Sequence, residues 1–265
     1  MKKLLNTYKM QRWTRSRSVE KATEAHQSGI DSKTLHGLSG EQYVGDFVFG
    51  GIDGVITTFA VVAGVAGAQL SATVVLILGL ANLLADGFSM GIGNYLSIKS
   101  EHERYQAIRK HETWEIDSLP KIAKQEIETI YKNKGLEGEA LDHIVNKITA
   151  DKKLWVETML REELGLAKDL RSPIVGGLVT STAFVIIGSI PLLSFIVTFG
   201  IDALTKHTFL ISLGLTLLAL FCTGAAKTLV VQKKWWKTGL ETLVMGGTAA
   251  ALAYLVGYLL KGLIA

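Results

Sequence analysis

The chain has 265 residues, 48% of them apolar and 20% charged, with a positive mean hydropathy and a net charge of +4. So apolar a composition excludes an ordinary soluble domain, and it fits with that many charges only if the charges are segregated, as they are: residues 98–171 hold 14 Lys/Arg and 15 Asp/Glu. The small net charge, with no Arg-rich recognition helix and no stacking-aromatic pattern, excludes nucleic acid as a partner.

Residues 1–40 carry eight Lys/Arg against three Asp/Glu. A basic tail beside a membrane span marks the cytosolic side. No apolar stretch of signal-peptide length occurs in it. A first span is expected from Tyr43 to Gly67 and a second from Ser71 to Ile98, joined by the turn Gly67-Ala68-Gln69. Each is long enough for a hydrocarbon core, which takes about 20 helical residues.

From Lys99 the pattern turns charged and amphipathic. With no Gly or Pro between Asn94 and Leu119, the second span is expected to continue as one helix to Ser118. Pro120 opens a second polar helix, which Asn133-Lys134-Gly135 ends. A third polar helix is expected over Glu139–Leu170. Pro173 opens a third span (174–199) that Pro191 kinks. A loop with Asp202, Lys206 and His207 leads to a fourth span (208–231). The Lys- and Trp-rich run 232–237 is an interfacial anchor by composition, and a fifth span covers 239–260. Cys222 stands alone in an apolar run and reads as packing.

The expected fold is therefore all-α: a polytopic membrane protein of five transmembrane helices with a three-helix cytosolic lobe between spans two and three. The divisions are a basic cytosolic tail (1–40), spans one and two (41–98), a metal-binding lobe (99–171) and spans three to five (172–265). Lysine and arginine placement puts the tail, the lobe and the Lys233–Lys237 loop inside.

An ionised carboxylate at mid-membrane costs about 2.5–3.5 kcal/mol on insertion scales, so it faces a cavity or a partner. Asp46 and Asp53 are seven residues apart on one helix face, among Gly50, Gly51 and Gly54. Asp53 lies deep and reads as functional; Asp46 reads as solvated near the interface. On the second span Asn82, Asp86, Met90 and Asn94 repeat every four residues. With both polar faces inward, Asp53, Asp86 and Met90 would line one path. Carboxylate with thioether suits a borderline first-row ion such as Fe²⁺ better than Mg²⁺ or Ca²⁺. Taken alone, Met90 is core packing, and Asn82 and Asn94 are hydrogen-bonding glue between helices.

The lobe offers Glu112 and Glu115 on its first helix, Glu126 and Glu128 on its second, and Glu157, Met159, Glu162 and Glu163 on its third. Carboxylates from three helices that converge would need a cation, or some would stay protonated. Any one of them alone reads as a solvated side chain or a lysine partner. The run His111-Glu112-Thr113-Trp114-Glu115 echoes a zinc-protease helix but has Glu for the second His. A di-iron oxidase bundle would need Glu-x-x-His on two helices, which the chain lacks.

The run from Gly50 to Gly64, GGIDGVITTFAVVAG, resembles the first span of the vacuolar iron transporter family. The run from Asp86 to Glu101, DGFSMGIGNYLSIKSE, resembles its second span, and Glu162-Glu163-Leu164-Gly165-Leu166 is similar to the end of its cytosolic domain. The resemblance covers residues 41–260. It implies a five-span homodimer, a transporter and not an enzyme, that moves Fe²⁺ and sometimes Mn²⁺ out of the cytosol in exchange for protons. By position, Asp53 and Met90 match its transport residues. Glu112, Glu115, Glu126, Met159 and Glu163 match its cytosolic metal ligands. Fe²⁺ would be substrate and lobe ligand, and protons the coupling ion; no catalytic cofactor is implied. The membrane would be the plasma membrane in a bacterium or the vacuolar membrane in a eukaryote. Ala123 stands where some members have a ligand Glu, and Leu160 where they have a second Met. Asn82 replaces an acidic residue, while Asp86 adds one a turn later and is a substitute for it. The alternatives left open are a membrane-anchored metal-binding or sensing protein without transport, and a transporter of another substrate with a regulatory lobe.

Overall fold

A computed structural model describes residues 41–198, 207–229 and 233–264. The basic tail (1–40) and the loop residues Asp202 and Lys206 lie outside the described residues. Among those described, the only regular structure is helical. A 3₁₀ turn (Glu41–Tyr43) leads into α1 (Val44–Gly67) and α2 (Ala72–Ser118). There follow α3 (Pro120–Asn133), α4 (Gly138–Thr149), α5 (Lys152–Thr158), α6 (Pro173–Gly188), α7 (Ile190–Thr198), α8 (Thr208–Ala226) and α9 (Trp235–Ile264). Among the described residues, four helices are long and apolar enough to cross a membrane: α1, α2, α8 with its 3₁₀ extension, and α9. A fifth span results if α6 and α7, bent by 40° at Ser189, are taken together. Pro191 sits in the first turn of α7, where its missing N–H breaks no helical bond.

The turn after α1 closes without glycine. Gln69 takes φ 58. Its N–H donates to Ala66 O, and Leu70 N–H donates to Val65 O. These two bonds form a Schellman cap that satisfies the last carbonyls of α1. Gly135, at φ +88, closes α3 in the same way.

The chain divides into two compact units. The described residues up to Leu83 and from Ala183 onward form one, and Leu84–Thr182 the other. In the first unit α1 is the central helix, packed against α7, α8 and α9. One core cluster joins Phe59, Val62 and Val65 of α1 to Val75, Leu192 and Phe195. Backbones approach closely where side chains are absent: a Cβ on Gly54 would lie 2.5 Å from Phe184 O, and one on Gly188 would lie 2.8 Å from Gly54 O. At the far end of α1, Gly64 and Gly67 abut Gly257 and Tyr254 of α9.

In the second unit Leu141, Val145 and Ile148 recur at helical spacing on α4. They pack with Ile116, Ala123, Ile127, Trp155, Val156, Met159 and Leu160 into one apolar core. The third polar helix is not the continuous rod expected over Glu139–Leu170. It breaks at Ala150-Asp151, where the Asp151 carboxylate accepts from Lys153 N and Leu154 N and caps a new helix. After Thr158 the helix widens into a π turn (Met159–Glu163), and Gly165 at φ +62 ends it. Nearer its start, α2 touches α6 through small residues. A Cβ on Gly177 would lie 2.6 Å from Gly91 O, and Asn94 Nδ2 donates to Thr180 Oγ1 at 2.8 Å.

Candidate metal-handling residues

Three separate elements of the second unit supply an acidic cluster. Glu112 and Glu115 come from α2, Glu126 from α3 and Glu163 from the π turn. Glu112 is only 5% exposed. Its carboxyl is pushed above the ordinary value by burial, then by Glu115; His111 opposes this, and Glu126 adds to it. Glu126 is raised by burial and by Glu115. Its Oε2 is buried with no hydrogen-bond partner. Glu163 is exposed over the residue as a whole, yet loss of water at its carboxyl raises it, followed by repulsion from Glu126, Glu112 and Glu115. Glu112, Glu126 and Glu163 are thus each raised in part by repulsion from other carboxylates of these three elements, with no lysine or arginine among the causes.

The donors are gathered but not closed. Among the described residues, no three His, Cys, Asp or Glu side chains stand close enough to hold an ion as placed. Met159 is 1% exposed and belongs to the apolar core. Ala123 and Leu160 are fully buried in the same core, so these two departures from the family pattern are packing residues here. The π turn alters the Met159–Glu163 relation that α-helical i,i+4 spacing implies, and wide turns of this kind recur at functional sites. No residue type in the sequence signals it. Glu162, next along, is held elsewhere. It pairs with Lys134 and with Arg161 Nε, and these partners pull its carboxyl below the ordinary value.

The spans carry the other expected residues. Asp53 is half-buried on α1, in the first unit, with its backbone oxygen accepting from Thr57 Oγ1 at 2.9 Å. Asp46 is 8% exposed, so the solvated position expected for it is not what the fold provides. Asp86 and Met90 are half-buried on the part of α2 that belongs to the second unit, flanked by buried Gly87 and Gly91. Asn94 takes the bonding role that its place on a polar helix face allowed. Its partner Thr180 was not legible beforehand, because Thr180, Ser181 and Thr182 stand side by side on α6 and spacing does not choose among them.

The family profile described as the VIT family matches residues 44–258. The chain belongs to the VIT family. It is 37% identical over 257 residues to a vacuolar iron transporter of Toxoplasma gondii, covering 92% of this chain and 85% of that one. It is 33% identical to vacuolar iron transporter 1 of Arabidopsis thaliana, over 86% of this chain and 90% of the other. A Plasmodium falciparum vacuolar iron transporter is 34% identical, over 81% of each chain. The profile spans both compact units of this VIT-family chain, so the acidic cluster and the apolar helices both fall within the matched region.

Proposed function

We propose that this VIT-family chain is a homodimeric transporter that moves Fe²⁺, and also Mn²⁺, out of the cytosol in exchange for protons. The observation that carries this reading is the cluster Glu112, Glu115, Glu126 and Glu163, whose mutual repulsion a divalent cation would relieve. The relatives named for iron transport supply the ion.

On this reading the 99–171 lobe faces the cytosol and captures the ion with those four carboxylates and the Met159 thioether. A mixed oxygen and sulfur donor set favours borderline first-row ions over Mg²⁺ and Ca²⁺. Asp53 then exchanges the ion for protons within the bilayer. A carboxylate there is unfavourable as a bare charge and tolerable with either a proton or a cation bound. Met90 favours softer ions, and Asp86 provides the carboxylate that Asn82 lacks. The basic tail and the Lys233–Lys237 loop lie on the cytosolic side with the lobe.

Flux into proteoliposomes loaded with an Fe²⁺-sensitive dye, with a pH gradient imposed and then collapsed, tests the reading. Uptake should follow the gradient, compete with Mn²⁺, and vanish in Asp53→Ala. Unchanged transport by Asp53→Ala would overturn the exchange mechanism. Metal binding by the parent chain without any flux would favour a membrane-anchored metal-binding protein instead.

A further inference from the structure

The junction between α8 and α9 concentrates positive charge and indole rings. Lys227 ends α8, and Lys233, Lys234, Trp235, Trp236 and Lys237 enter α9; all six are exposed. Three lysines of the second unit pair with acids, Lys99 with Glu103, Lys134 with Glu162 and Lys152 with Asp117, and its other lysines are spread along the unit rather than clustered beside indole rings. The four junction lysines pair with no described acid. The acidic residue nearest them on α9 is Glu241, at i+4 from Lys237, and it forms no ion pair with that lysine.

The rings are set and the charges lie beside them. Trp235 packs edge-on against Phe221 at 5.7 Å, and Lys237 Nζ stands 5.5 Å from the Trp236 ring centre. On either side run candidate spans, Thr208–Leu229 and Trp235–Gly262. The patch therefore sits where a span meets the headgroups, the depth that tryptophan prefers. Uncompensated ammonium groups at that depth meet lipid phosphate, and clustered lysines next to a span select anionic lipid.

We propose that the α8–α9 junction is a binding site for an anionic phospholipid headgroup. Lys227, Lys233, Lys234 and Lys237 meet the headgroup charge, and Trp235 and Trp236 seat against the upper acyl chain.

The full chain is reconstituted in phosphatidylcholine vesicles, and brominated phosphatidylglycerol or brominated phosphatidylcholine is titrated in while tryptophan fluorescence is read. A Trp235→Phe/Trp236→Phe variant subtracts the other tryptophans. The anionic lipid should reach half-maximal quenching at a mole fraction at least about five-fold lower, the factor that one surface lysine supplies. Changing all four lysines to Gln should abolish the preference, changing them to Arg should keep it, and Lys261→Gln should leave it unaltered. Should the fourfold variant misfold, the parent chain decides: about 1 M salt, with a Debye length near 3 Å, should shrink the preference. Equal quenching by the two lipids, or a preference that survives either the fourfold Gln change or high salt, would overturn the site. So would saturable binding of inorganic phosphate without any lipid preference.

Discussion

Asn94 and Thr180 tie α2 to α6 by a hydrogen bond of 2.8 Å between side chains, one turn from the place where Gly91 and Gly177 let the two backbones meet. Around the bond the helices meet at Gly91 and Gly177, with Tyr95 Cβ beside Gly177, so a directional bond between side chains helps to fix the register of this close crossing.

Asn94→Ala should therefore lower stability by about 1 kcal/mol, the scale of an interhelical hydrogen bond in a membrane protein. Gly177→Leu should cost more, because Gly91 O lies 2.6 Å from the first added carbon and is backbone. Thermal unfolding in detergent checks both. Equal losses from the two changes would show that the hydrogen bond, not close approach, sets the crossing.

Gly54 faces a harder limit. Its first added carbon would lie 2.5 Å from the Phe184 carbonyl oxygen, which no rotamer change can move. Gly54→Val should destabilise by about 3 kcal/mol or more, as overpacking does where neighbours cannot yield. It should also reduce flux together with expression, whereas Asp53→Asn beside it should leave the melting temperature within a few degrees of the parent.

Gln69 offers the opposite sign. Its φ of 58 strains any residue with a Cβ, and its site ends the first helix in a Schellman cap. Gln69→Gly should stabilise by up to about 1 kcal/mol, less the added freedom of glycine in the unfolded chain. Loss of stability on that change, read in the same melts, would contradict the cap.

The acidic cluster predicts an unusual pH response. Glu112, Glu126 and Glu163 have carboxyls raised in the fold above the ordinary 4.5. The folded form then holds more protons than the unfolded one above pH 4.5, so stability of the metal-free chain falls as pH rises through the raised values. Acidifying from neutrality toward about pH 5 should stabilise it. Below 4.5 the trend should reverse, because Glu162 and Asp169 are lowered by Lys134, Arg161 and Arg171 and lose those contributions on protonation. Glu112→Gln should flatten the upper slope and weaken metal binding about ten-fold or more; pH-dependent melts with and without Mn²⁺ read both.

The order of helices was legible from apolar run length, and α2 runs to Ser118 because nothing between Asn94 and Leu119 breaks a helix. The end of α3 followed from Gly135, and the family from the runs around Asp53 and Met90. The sequence by itself also named every member of the acidic cluster, since glutamates on amphipathic helices declare themselves by type and position. Only the tertiary structure decided which of them repel one another. Glu162 and Glu163 are adjacent in sequence, yet one is neutralised by Lys134 and Arg161 while the other joins Glu112, Glu115 and Glu126. Charge coupling depends on distance and on access to water, and the break at Asp151 and the π turn set both locally. Burial of Asp46 and the contact of Gly54 with Phe184 were hidden for the same reason: neighbours far apart in the chain created them.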